Sequence, residues 1–335
     1  MIRMRRAVII VVAIVVILVA GFVGSGPVVP AAAAQERVRL SPRFEPGQSL
    51  RYQMEFRTST EGSTEGPIED PQGAGLVEVS VSVVVRFDVL AVTPAPAGNA
   101  VRLRATYEKL ASSTRGDLAD PRAAAAGRDF AALEGRSFEF TLNPSGGVTD
   151  LAGVEDIFPE QQAAVREWLS QLSLGVAHPE QGIAPGQSWS TEAGREISIP
   201  LRGYSWRSTA TYVRNESCRA AGEAAAGGDE ICAVILTRLE VVNRGAPRDP
   251  TPDDYRQLGL RTAGSVSGGG ESLSFVSLET GLVVSVTQTG AEEFDITVSS
   301  ADGTARVRYR GRTRSHTQIT LLPEAPPATP ARPAL

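Results

Sequence analysis

Val77, Val79, Val81, Val83, Val85, Phe87 and Val89 alternate with Glu78, Ser80, Ser82, Arg86 and Asp88. A period of two puts successive side chains on opposite faces, so this stretch predicts a long strand with one face buried. After the Pro/Gly loop 93–99, Val101, Leu103, Ala105 and Tyr107 alternate with Arg102, Arg104, Thr106 and Glu108, which predicts an antiparallel hairpin partner. The same pattern predicts further strands at 50–58, 137–142, 148–151, 204–214, 231–242, 273–278, 282–289, 294–300 and 304–321. Turn residues separate several of them, notably 143–147, Thr280-Gly281 and Asp302-Gly303.

Helical periodicity is scarce. The clearest case is 159–174, where Val165, Trp168, Leu169 and Leu172 form one apolar stripe and Gly175 is a stop, with a weaker piece at 121–133. The predicted fold is therefore α+β: a long, curved antiparallel sheet, half-barrel or sandwich-like, packed around one main helix. About ten strands cannot be covered by one helix roughly 24 Å long. Either the sheet curls on itself, or a groove stays open for an apolar ligand.

The first residues set the compartment. Arg3, Arg5 and Arg6 precede an apolar run over 7–23 and small residues at 31–34, which is the pattern of an export signal. Cleavage near Ala34-Gln35 is favoured. The alternative is an uncleaved inner-membrane anchor through 7–23, because a run of about 17 residues sits at the lower limit for spanning a bilayer. The expected product is exported, to the periplasm or cell surface, and touches membrane only through this segment if it is retained. The expected domain spans 35–322, and the Pro/Ala-rich residues 323–335 read as a disordered tail. The patterns Phe44-Glu45-Pro46-Gly47-Gln48-Ser49-Leu50 and Ile183-Ala184-Pro185-Gly186-Gln187-Ser188-Trp189 recur, which suggests two halves, 41–153 and 177–322. Coincidence between common turn sequences is the competing explanation.

Composition narrows the chemistry. The chain has 335 residues and a net charge of −5, and removing residues 1–34 leaves 30 basic against 38 acidic groups, so nucleic acid is not an expected partner. Cys218 and Cys232 are the only cysteines, and in an exported chain they are expected to pair across the Gly/Ala loop between them. His178 and His316 are the only histidines and neither sits in a catalytic motif; no Gly-x-Ser-x-Gly occurs. Asp249, Asp253 and Asp254 lack the Gly and Glu of a calcium loop and read as a solvated turn. No metal, cofactor or catalytic residue is expected.

The Pro-Gly-Gln-Ser-Trp element, the strand at 138–147 ending in a Gly-rich turn, and Glu279-Thr280-Gly281-Leu282 resemble elements of exported bacterial families of unknown function. The layout is similar to the periplasmic lipoprotein-carrier fold, a curved antiparallel half-barrel around a helix. The resemblance implies a fold and a lipid-binding groove, and it carries over no catalytic residue.

Arg306, Arg308, Arg310, Arg312 and Arg314 recur at period two and so share one strand face. A turn at Asp302-Gly303 would place Asp295 opposite Arg310 and Glu293 opposite Arg312, with Val298 against Val307 and Ile296 against Tyr309 on a buried face. The arginines are either an anion-binding face or a solvated face laced with ion pairs. The leading functional expectation is a non-enzymatic envelope protein that binds lipid or a lipoprotein acyl chain in the sheet concavity. Phe140, Trp168, Leu172, Trp206 and Tyr212 are the candidate lining, though residues of each type are more often simply core. The second expectation is a structural or protein-interaction module with a filled core; an unrecognised hydrolase is third.

Overall fold

The computed structural model describes residues 37–66, 75–95, 98–116, 133–144, 147–155, 179, 181–191, 200–222, 225, 230–245 and 249–323. The export segment, the predicted helix at 159–174, nearly all of the weaker one at 121–133, much of the loop within the cysteine pair and nearly all of the tail lie outside the described residues.

Among the described residues, eleven strands form one antiparallel sheet. They are β1 (Ser49–Glu65), β2 (Gly75–Ala95), β3 (Gly98–Gly116), β4 (Ser137–Leu142), β5 (Val148–Ala152), β6 (Ser188–Thr191), β7 (Tyr204–Ser217), β8 (Ile231–Asn243), β9 (Leu260–Ser277), β10 (Val283–Ser300) and β11 (Arg306–Leu322). The spatial order is β5-β4-β3-β2-β1-β11-β10-β9-β8-β7-β6. Consecutive strands thus neighbour one another, the first pairs with the last, and the sheet is open between β5 and β6. Antiparallel pairing everywhere else makes β5 and β6 run in the same direction, so the segment 153–187 connects opposite ends of the two strands.

Tracing the register through every pair sorts the side chains into two faces. The apolar face carries Tyr52 and Met54 of β1, Val83, Val85 and Phe87 of β2, Leu321 of β11 and Ile235 of β8. One cluster joins Tyr52, Phe87, Leu103, Phe138, Phe140 and Leu282, and a second joins Leu40, Ile183, Tyr212, Ile235, Val276 and Val283. The Tyr52 hydroxyl donates to the Val283 carbonyl at 2.9 Å, which satisfies a polar group otherwise enclosed by hydrocarbon. A third cluster lies on the opposite face, where Val234, Phe275 and Val284 are sealed by the Cys218–Cys232 disulfide. The short 3-10 turn Cys218–Ala221 carries the first of those cysteines.

Sequence periodicity located most strands but understated the length of β1, which continues to Glu65, and β3, which continues to Gly116, and misread three others. β9 begins at Leu260, well before the predicted 273, because Gly264, Gly268, Gly269 and Gly270 interrupt the hydrophobic alternation. These glycines are selected by close approach: a β-carbon at 264 would lie 2.0 Å from the Asp295 carbonyl oxygen, and one at 270 would lie 2.4 Å from that of Thr289. The segments 282–289 and 294–300 are one strand, β10, continuous through Gly290. The short edge strand β6 follows directly from the second Pro-Gly turn.

The two recurrent turns have the same local structure. Gly47 and Gly186 take φ of 84° and 85°. In both, the Gln side-chain oxygen accepts from the backbone two residues before the glycine, Glu45 at 3.2 Å and Ala184 at 3.0 Å. Each turn then docks on a strand, with Gly47 donating to Val89 at 2.8 Å and Gly186 to Tyr212 at 2.6 Å.

Candidate functional site

The predicted β10–β11 hairpin forms in the predicted register: Asp295 faces Arg310, Glu293 faces Arg312, Val298 faces Val307 and Ile296 faces Tyr309. The strand runs through Gly311 without a register shift against either neighbour. Arg306, Arg308, Arg310, Arg312 and Arg314 therefore share one face.

Most of this face is a lattice of arginine–carboxylate pairs. Asp295 takes Arg308 Nε at 2.7 Å and Arg310 Nε at 3.4 Å, while Arg310 also reaches Glu65 at 3.4 Å and Arg312 reaches Glu293 at 3.5 Å. Farther along the sheet Glu108 joins Arg51 at 2.7 Å to Arg86 at 3.4 Å, and Glu139 joins Arg104 at 2.7 Å to Arg102 at 3.2 Å. Hydrogen bonds from Arg308, and the positive charge of Arg308 and Arg310, hold the Asp295 carboxyl below the usual carboxylate range. Hydrogen bonds from Arg104 and then Arg102 do the same for Glu139.

The lattice breaks where β3, β2, β1 and β11 cross. Two register rungs lie side by side there: His316–Arg57–Ser80–Ser113 and Arg314–Ser59–Glu78–Arg115. They surround a depression of about 560 Å³. Neither Arg115 nor Arg314 has a carboxylate within ion-pair distance among the described residues, whereas Arg57 meets Glu55 at 3.3 Å. Arg314 belonged to the stripe visible in the sequence. His316 is the next position of the same period on β11, whereas Arg57 and Arg115 lie on β1 and β3, whose alignment with β11 is long-range.

The candidate ligand-lining residues divide. Phe140 and Tyr212 lie on the apolar face but are 2% and 0% exposed, in separate core clusters. Trp206 is half-buried on the same face of β7. Trp168 and Leu172 lie outside the described residues. The expectation that Tyr309 is buried is not met, since 43% of it is exposed. Its face is the apolar one, but it sits at the end of the sheet away from the core clusters, paired with Thr64 on one side and Ile296 on the other.

This far end of the apolar face is half-open. Phe56, Val79, Leu110, Phe294 and Val307 share it with Tyr309 and are only partly buried, whereas Val266 and Ile296 on the same face are buried. Glu292 lies among them, beside Thr313, and loss of water around it raises its carboxyl above the usual range. At the acidic turn, Asp253 pairs with Arg256 and Asp249 with Arg261, and no metal-ligand cluster occurs among the described residues.

The formed disulfide belongs with an oxidising, extracytoplasmic compartment. No helix among the described residues is long and apolar enough to cross a membrane. No family model matches the chain, and no curated protein matches it. Among solved structures it is similar to lipovitellin, described for its lipid–protein interactions, at 11% identity and a TM-score of 0.43; the match covers 86% of this chain and only 27% of that one. It is also similar to a Bacteroides fragilis protein described as exported with a YmcC-like fold, at 10% identity, TM-score 0.24, and 84% and 97% coverage. A Parabacteroides distasonis protein described as a lipoprotein aligns at 9% identity, TM-score 0.23, and 86% and 98% coverage. These scores are too low to establish a common fold.

Proposed function

We propose that this is an exported envelope protein that holds an amphiphile, a lipid or a lipoprotein acyl chain, against the half-open end of its apolar sheet face without chemical turnover. The observation that carries this reading is the contrast along one face: Phe87 and Tyr52 are fully enclosed at one end, while Tyr309 is 43% exposed at the other. Soluble proteins rarely leave contiguous apolar surface uncovered without a partner for it. An acyl chain suits the place because Phe294, Val307 and Tyr309 present apolar surface there that is not fully buried. Glu292 and Thr313 offer a polar end to the same strip. The burial of Phe140 and Tyr212 limits the ligand to this end and removes those two from the lining.

Native mass spectrometry of protein purified from its own host should show a copurifying acyl-chain mass, and Tyr309→Asp should abolish it while leaving the fold intact by circular dichroism. A lipid-free wild-type protein would overturn the reading. It would favour the filled-core interaction module, which the packed aromatic cluster around Phe138 and Phe140 also supports.

A further inference from the structure

The arginine face raises a separate question, because most of its arginines are paired with carboxylates while Arg115 and Arg314, beside the depression, have none within ion-pair distance among the described residues. We propose that the depression is a binding site for a phosphorylated polyol, a phosphate ester with free hydroxyls beside it.

The geometry follows from the two rungs. Four strands spaced about 4.8 Å apart make each rung roughly 14 Å wide. Arg314 and Arg115 stand at opposite ends of one rung, and Arg57 stands beside them on the other. Between these long side chains lie Ser59, Ser80 and Ser113, whose small size leaves the floor open as far as Thr58, Val79 and Ser315 of the other parity. The volume of about 560 Å³ falls within the roughly 300–1,000 Å³ typical of small-molecule sites, and it exceeds what a bare phosphate needs.

The donor set selects the ligand. Guanidinium groups present paired N–H donors that match phosphate oxygens, and two of the three here have no carboxylate to satisfy them among the described residues. The serine hydroxyls donate or accept, and Glu78, the one carboxylate in the two rungs, accepts from a ligand hydroxyl. That combination disfavours a carboxylate with an apolar tail and suits a phosphate carried on a polyol. Two sources share this chemistry: a soluble sugar or glycerol phosphate, and the headgroup of a phospholipid. The site is on the face opposite the amphiphile strip, so it stands or falls independently of that reading.

The test is calorimetric titration of the full exported chain with glycerol 3-phosphate and with glycerol, and sedimentation with phosphatidylglycerol or phosphatidylcholine vesicles. Saturable binding of glycerol 3-phosphate, none of glycerol, and a loss of about tenfold or more in both Arg314→Gln and Arg115→Gln would support a soluble ligand. Binding only to phosphatidylglycerol vesicles, with the same two losses, would support the headgroup. Added salt should weaken either mode. Arg312→Gln, on the same face but paired with Glu293, should leave affinity unchanged. Absence of binding in both arms, or equal weakening by Arg312→Gln, would overturn the proposal.

Discussion

Phe294 lies over Gly311: a β-carbon at 311 would come within 2.5 Å of the Phe294 ring Cζ and 2.7 Å of the Glu61 carbonyl oxygen. The two are directly paired across β10 and β11, so the ring covers backbone that a glycine leaves bare. Gly311→Ala should destabilise the protein by about 1–3 kcal/mol through overpacking, measured by urea unfolding. Adding Phe294→Ala should recover only part of this, because the Glu61 carbonyl remains in the way. Full recovery would mean that the backbone approach is unimportant.

The disulfide closes over Val234, Phe275 and Val284 on the face opposite the main core. With its cysteines separated by 14 in sequence, its removal in Cys218→Ser/Cys232→Ser should cost about 3 kcal/mol in the chain-entropy model, seen as a lower urea midpoint. Reduction of the wild type should match the double variant. A midpoint that does not move would place the cluster's stability in packing alone.

Glu292 predicts an unusual pH response. Desolvation raises its carboxyl in the folded state, so the folded protein binds the proton more tightly than the unfolded chain, whose carboxyl lies near about 4.3. Its contribution to stability is therefore present below the unfolded value and lost as the pH rises through the folded one. Glu292→Gln should be more stable than wild type at pH 7, and the two should converge below about pH 4. An unfolding series from pH 3 to 8 checks this, and equal midpoints throughout would contradict it.

Asp302 should behave in the opposite sense. Hydrogen bonds from the Ser300 hydroxyl, then from the Thr304 amide and hydroxyl, lower its carboxyl to about 2. Such a group stabilises above its unfolded value, near about 3.9, and the stabilisation disappears as the pH falls through the folded one. Carbon-detected NMR titration should show Asp302 ionised at pH 3, and Asp302→Ala should loosen the β10–β11 turn. Titration at the unfolded value would show that these bonds do not persist in solution.

The paired turns make a comparative prediction. Gln48 and Gln187 close them through similar hydrogen bonds, but the second is partly buried. Gln187→Leu should cost about 1 kcal/mol and Gln48→Leu less, by thermal unfolding, because an unsatisfied amide near Ala184 has poorer access to water. The reverse order would argue against burial as the cause.

By itself the sequence determined the alternation of β2 and β3, the register of the β10–β11 hairpin and the pairing of the two cysteines. Each depends on residues close in sequence or on a choice with one outcome. A two-residue slip-sensitive pattern beside Asp302-Gly303 leaves little freedom when one face is apolar and the other charged. The tertiary structure alone decided three things. It paired β1 with β11, the chain's first strand with its last, which no local pattern encodes. It drew Gly264, Gly268 and Gly270 into a strand, because their role is to admit a neighbouring backbone and leaves no periodic trace. And it brought Arg57, Arg115 and Arg314 around one depression from strands more than 40 residues apart, while leaving Tyr309 exposed on a face whose pattern reads as buried. Periodicity says which face a side chain takes; what covers that face is set by long-range packing.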